Sequence, residues 1–152
     1  YIGILLSKRY SNRVKELKEL KNALNILSTQ IKFTYEPLPK IFNEISKREE
    51  SNINGIFKLA YENMGEKTAG EAWNYAIENR NTNLNKEDKQ IIKNLGNMLG
   101  QVDVEGQLKE IALVDEFLNG QIEKAEQEKR KNEKLYKTLG VTIGMTIVII
   151  LI

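Results

Sequence analysis

The last charged residue of the chain is Lys137, and residues 138–152 (TLGVTIGMTIVIILI) contain nothing more polar than threonine. A helix that is apolar on every side has no face to show to water, so this end belongs in lipid. Its fifteen residues reach only about 22 Å as a helix, short of the roughly 30 Å hydrocarbon core, so a spanning helix has to draw in Leu135 and Tyr136. The competing reading, a buried C-terminal core helix, founders on the missing polar face.

The opposite end points the same way. Residues 1–6 (YIGILL) are apolar and lack a methionine, and the chain turns basic at Lys8 and Arg9. Such a hexamer fits the tail of an upstream membrane helix or of a removed signal sequence, and the membrane helix is the favoured reading. Between residues 129 and 137, Lys129, Arg130, Lys131, Lys134 and Lys137 stand against Glu133 alone, a net charge of +4. Lys8, Arg9, Arg13 and Lys15 make the other flank basic too, so the positive-inside rule places the polar part in the cytoplasm, and attraction to anionic lipid reinforces that orientation. The expected organisation is therefore a remnant of an N-terminal membrane helix (1–7), a cytoplasmic helical domain (8–128), a basic juxtamembrane stalk (129–137) and a C-terminal membrane helix (138–152).

Within the polar part, apolar residues recur at helical spacing. Leu17, Leu20, Leu24, Leu27 and Ile31 form one stripe of a first helix running from about Val14 to Thr29. Pro37 and Pro39 end anything before them, since proline lacks an N–H and disfavours helical geometry in the residue it follows. Leu38, Ile41, Phe42 and Ile45 mark a second helix, and Ile53, Ile56, Phe57, Ala60, Tyr61 and Met64 a third, with Gly65 as its stop. Thr68 and Glu71 have the form of a capping box, with Ala69, Ala72, Trp73, Ala76 and Ile77 as the apolar face of the helix it opens. Asn85 opens a fifth helix, whose face is Ile91, Ile92, Leu95 and Leu99 and which ends near Gly100.

Asp103 caps the sixth, where Val104, Leu108, Ile111, Asp115, Leu118, Ile122, Ala125, Lys129, Asn132, Tyr136 and Leu139 step by four and three. The seam is apolar only to Ala125, so the first half packs in a bundle and the second is expected to be a solvated stalk. The open alternative is a break at Asn119-Gly120, although a glycine costs only about 1 kcal/mol inside a helix. No strand-length alternation occurs. The fold class is all-α, an antiparallel bundle of about six helices, the last long and continuing into the C-terminal membrane helix.

Composition then narrows the chemistry. With no cysteine and no histidine, thiol nucleophiles, disulfides, imidazole bases and Cys/His metal sites are excluded. The carboxylate pairs Glu16/Glu19 and Glu123/Glu126 are interleaved with lysines, as on solvated helix faces. No glycine-rich phosphate loop is present, because no Gly-Lys-Ser/Thr follows Gly96 or Gly100. Twenty-three basic residues are nearly balanced by 21 acidic ones and the aromatics follow the apolar stripes, which speaks against nucleic-acid binding. Neither an enzymatic activity nor a cofactor is expected.

The stretch LGNMLGQVDVEGQ at residues 95–107, with Gly96, Gly100, Asp103 and Gln107 in the pattern LG..LG..D...Q, resembles the stage III sporulation protein AB family of endospore-forming bacteria. The YEPLP segment containing Pro37, the EAW around Trp73, and the KLYKTLG that leads into the apolar tail are similar to that family in order and spacing, so the resemblance covers nearly the whole chain. The family begins with a membrane helix, of which residues 1–6 would be the part present here. The resemblance implies a component of the membrane channel complex between mother cell and forespore, with a soluble domain similar to the cytoplasmic helical domain of type II secretion F proteins. It further implies a non-enzymatic platform whose partner is the sporulation ATPase, stage III sporulation protein AA, alongside other membrane proteins of the complex, and it leaves room for a homo-oligomer. The rival class is a generic tail-anchored tether. The residues at the corner before the sixth helix are expected to be mainly structural, with partner contact as the alternative.

Overall fold

The apolar end belongs to an uninterrupted helix of 48 residues, α6 (Val104–Leu151), about 72 Å long at the standard rise. The structure is a computed structural model that describes residues 2–152, with side chains from residue 3 onward. Five further helices precede α6: α1 (Ile2–Phe33), α2 (Leu38–Arg48), α3 (Asn52–Asn63), α4 (Ala69–Asn79) and α5 (Lys86–Lys93), with a 3₁₀ turn at Asn94–Asn97 before the last corner. Among the described residues there is no strand.

Local chemistry explains most of the boundaries. α1 stops at Phe33, ahead of the two prolines, and the Pro37 carbonyl then accepts from Ile41 N–H at 3.2 Å to begin α2. Ser51 Oγ accepts from Asn54 N–H at 3.1 Å to start α3. The capping box expected at Thr68 and Glu71 is only half formed: Thr68 Oγ1 accepts from Glu71 N–H at 3.2 Å, without a return bond among the described residues. The reciprocal box sits instead at α5, where Asn85 Oδ1 accepts from Asp88 N–H and Asp88 Oδ2 accepts from Asn85 N–H.

α1 and α6 lie antiparallel, as successive partners show: Lys21 with Asp115, Lys18 with Glu126, Arg13 with Glu128 and Ser7 with Asn132. α2 and α3 pack on α1, α4 packs on α3, and α5 touches both α4 and α6. The core between them holds Leu17, Leu20, Leu24 and Leu27 of α1 against Ile41, Phe42, Ile56, Phe57, Trp73, Ile92, Ile111 and Leu118. Each such side chain contributes about 1.5–3 kcal/mol on burial.

Four expectations need correction. The first helix starts at Ile2, not near Val14; its early turns are held by α6, which the local pattern could not anticipate. The fifth helix ends at Lys93 and finishes as the 3₁₀ turn. α6 runs unbroken through Asn119-Gly120, in agreement with the favoured reading, but its buried stripe is Gln107, Ile111, Val114, Leu118, Gln121 and Ala125, so Val104 lies outside the seam while Val114 and two glutamines lie inside it. Glu16, expected on a solvated face, is buried.

Candidate functional site

At the corner between α5 and α6, backbone geometry decides which residues fit. A Cβ on Gly70 of α4 would run into the Gly96 carbonyl oxygen, and one on Gly96 would sit 2.7 Å from Asn74 Oδ1, so two glycines let α4 and the 3₁₀ turn approach backbone to backbone. Gly100 has φ +72°, the left-handed conformation that glycine adopts without a steric penalty. Asp103 Oδ1 then accepts from Gly106 N–H at 2.8 Å, capping α6. Gln107 donates from Nε2 to the Val102 carbonyl at 3.1 Å, and its Oε1 lies 3.5 Å from Gly100 N–H. The four residues thus set the direction in which α6 leaves the bundle.

Trp73 supports the same corner from beneath, whereas Pro37 stands at the N-terminus of α2, where its carbonyl accepts from Ile41 N–H. Trp73, with no exposed surface, donates from Nε1 to the Ile92 carbonyl at 2.7 Å, fixing the end of α5. Its ring packs against Phe42 and Phe57 at centroid distances of 5.7 and 5.1 Å, in the edge-on and tilted arrangements that aromatic quadrupoles favour. Leu38, which follows Pro37, reaches within 3.7 Å of where a Gly100 Cβ would lie.

A second cluster was not legible in the sequence. Arg13 of α1 makes a bidentate pair with Asp88 of α5, Nε to Oδ2 at 2.8 Å and Nη2 to Oδ1 at 3.0 Å, and reaches Glu128 of α6 from Nη1 at 2.9 Å. Gln121 of α6 donates to Asp88 Oδ1 at 2.7 Å. Asp88 is fully buried and Arg13 is 6% exposed, so one carboxylate clasps three helices. The hydrogen bond to Asp88 raises the Arg13 pKa above its ordinary value against the opposing effect of burial, and the guanidinium stays charged throughout the accessible pH range. Nearby, Glu16 accepts from Asn52 Nδ2, Asn83 N–H and Asn83 Nδ2 at 2.9, 2.6 and 3.0 Å, tying α1 to the start of α3 and to the loop before α5. One signal was available: Arg13 lies four residues before Leu17, in line with the α1 stripe.

The five basic residues gather far from the corner. From Gln107 to Lys129 along α6 is about 33 Å. Lys129 is half-buried, and Arg130, Lys131, Lys134 and Lys137 are exposed. α1 runs alongside: Asn132 Nδ2 donates to Ser7 Oγ at 3.0 Å, and a Cβ on Gly3 would collide with the Tyr136 ring. The ion pairs of the described residues all lie below this level, and none includes these five. Beyond them α6 is exposed on all sides and is long and apolar enough to cross a membrane. Among the described residues, no three acidic side chains converge as metal ligands.

These features define a class: an all-helical bundle whose last helix is oriented by a glycine-rich corner, clasped to the first by a buried ion pair, and extended as a long apolar rod. More particularly, the chain belongs to the stage III sporulation protein AB family, whose model matches residues 1–152. It is 27% identical over 155 residues to stage III sporulation protein AB of Bacillus subtilis (strain 168), an alignment covering 99% of this chain and 91% of that one. A solved structure of a stage III sporulation protein AB has the same fold, with a TM-score of 0.71 at 24% identity, covering 79% of this chain and 98% of the other.

Proposed function

We propose that the protein is a non-enzymatic membrane platform of the channel complex between mother cell and forespore that endospore formation requires. In this reading, residues 8–128 form a cytoplasmic domain, 129–137 a basic juxtamembrane stalk and 138–152 a membrane anchor, with residues 1–7 the end of a second anchor. The domain couples a cytoplasmic ATPase, stage III sporulation protein AA, to the membrane assembly, in the manner of type II secretion F proteins. Family membership and the name of the Bacillus subtilis relative support the sporulation role. The basic flanks support the orientation.

The observation that carries the coupling is the continuity of α6, which runs without a break from the Asp103 cap to Leu151. A displacement of the bundle is therefore passed along one rigid element, and the Arg13–Asp88 clasp prevents α1 and α5 from slipping against it. The test is to insert two or three glycines after Gly120 in sporulating cells and score spore formation alongside protein abundance. Coupling predicts a loss of spores at normal abundance. Normal sporulation would reduce the protein to a passive tether, and ATP turnover by the purified chain would defeat the platform reading. Separately, removal of residues 138–152 together with any N-terminal anchor should release the protein from membranes; a truncated form that resists alkaline carbonate would defeat the anchoring assignment.

A further inference from the structure

We propose that the groove between α1 and α6 at the end of the stalk is a binding site for the headgroup of an anionic phospholipid. This rests on the membrane reading of the apolar end of α6 and goes beyond it, because it assigns a particular site, not a general attraction of the flank to a charged surface.

The groove has a volume of about 480 Å³ and is lined by Ser7 of α1 and by Arg130, Glu133, Lys134, Tyr136 and Lys137 of α6. Three cations thus face one acid, and none of the three is in an ion pair among the described residues. Along the packed length of α1 and α6, several long cationic side chains find carboxylates: Lys18 meets Glu126 at 3.0 Å, Lys21 meets Asp115 at 3.2 Å and Lys124 meets Glu87 at 3.2 Å. Lys8, Arg9, Lys32 and Lys109 stand without an ion pair among the described residues, but none of them lines this groove. What sets the groove apart is convergence: three cations without an ion pair line one concavity beside a single acid, Glu133, and an anion from outside the chain is the complement to such a cluster.

The donor set matches a phosphodiester. Arg130 offers the planar fork that binds two phosphate oxygens at once, and Lys134 and Lys137 add point charges. Ser7 Oγ already accepts from Asn132, which leaves its own O–H free to donate.

The polarity of α6 along this side selects a lipid over other anions. Arg130, Lys134 and Lys137 step by four and three, and the same stepping continues through Val141, Met145 and Val148, all exposed. The cationic stretch is only about 10 Å long, the depth of a headgroup layer, and it passes directly into an apolar track on which an acyl chain can lie. A free phosphate would have no use for that track, and a nucleic acid would need a longer run of charge.

The experiment uses the full chain in bilayer nanodiscs of phosphatidylcholine with increasing phosphatidylglycerol, with retained lipid counted by native mass spectrometry. The wild-type chain should hold phosphatidylglycerol in preference to phosphatidylcholine. Arg130→Gln with Lys134→Gln should weaken this by on the order of tenfold or more, from the loss of two near-membrane charges. Ser7→Leu keeps every charge but fills the groove and should also displace the lipid, with Arg130→Lys, which loses only the bidentate fork, lying between. Trp73 fluorescence confirms that each variant is folded. Undiminished lipid retention by Ser7→Leu would show a diffuse charge effect and overturn the site, as would competition by millimolar inorganic phosphate. A chain that alkaline carbonate strips from the bilayer would sink the membrane reading itself, an outcome distinct from an inserted chain that shows no lipid preference.

Discussion

Replacing Asp88 with alanine should be among the most damaging single changes in the bundle. The Asp88 carboxylate accepts two hydrogen bonds from Arg13, one from Gln121 and one from Asn85 N–H, and it has no contact with solvent. Removing one partner of a buried pair costs about 3–5 kcal/mol, because the other charge stays buried. Here the half-exposed Glu128 still holds one Arg13 nitrogen, which limits the damage, whereas losing half of the α5 capping box adds to it by about 0.5–2 kcal/mol. A net loss of about 3–5 kcal/mol is expected, a large share of the roughly 5–15 kcal/mol by which domains are stable. Denaturant unfolding in mild detergent, followed through the buried Trp73, measures it. Arg13→Met alone should be similarly severe, since it strands the carboxylate, but Arg13→Met with Asp88→Leu should cost much less than the sum of the two, as contacting residues are not additive. A loss below about 1 kcal/mol for Asp88→Ala, or a double variant equal to the sum, would refute the reading of this cluster as the clasp of α1, α5 and α6.

Three further outcomes are expected. Asp103→Ala removes the α6 cap and should lower stability by about 0.5–2 kcal/mol; unchanged melting with lost complex assembly would mark the corner as a partner contact. Gly120 is exposed in mid-helix with no atom near a would-be Cβ, so Gly120→Ala should stabilise the chain by about 0.5–1 kcal/mol, and a destabilised variant in the same unfolding assay would contradict an uninterrupted helix. The hydrogen bond from Lys18, with smaller help from Arg130 and Lys129, holds the Glu126 carboxyl below its ordinary value. With the folded value depressed, the contribution of this pair is present above the ordinary carboxylate range and is lost as pH falls through the depressed value. Lys18→Gln should therefore return the Glu126 midpoint toward normal in a carboxyl ¹³C NMR titration, and an unmoved midpoint would remove Lys18 as the cause.

Helical class, helix number and most boundaries were written locally, because spacing, prolines and caps act over a few residues. Leu17 to Ile31, the prolines at the start of α2, Asn85 and Asp103 each announce themselves without knowledge of the rest of the chain. The apolar run after Lys137 is legible for the same reason, since its lack of charge needs no partner to interpret. The corner, too, could be located in advance, but only the tertiary structure shows that Gly96 faces Gly70 and Asn74, and that Gly100 alone among the described residues has a positive φ.

The polar seam between α1 and α6 was decided entirely by assembly. A glutamine or arginine within a heptad reads as surface until its partner is placed, and the partners here are far apart in sequence: Arg13 meets Asp88 and Glu128, and Gln121 meets Asp88. The register of α6 against α1 buries Gln121 and Val114 and leaves Val104 exposed, a choice that periodicity alone does not make, because neighbouring heptad stripes on one helix differ by a single residue. The N-terminal turns of α1 are helical alongside α6, where Ser7 meets Asn132 and Gly3 meets Tyr136. Residue spacing determined which faces are apolar; the packing of helices distant in sequence determined which polar residues are buried between them, because the desolvation that makes a buried charge costly exists only once the neighbouring helix is in place.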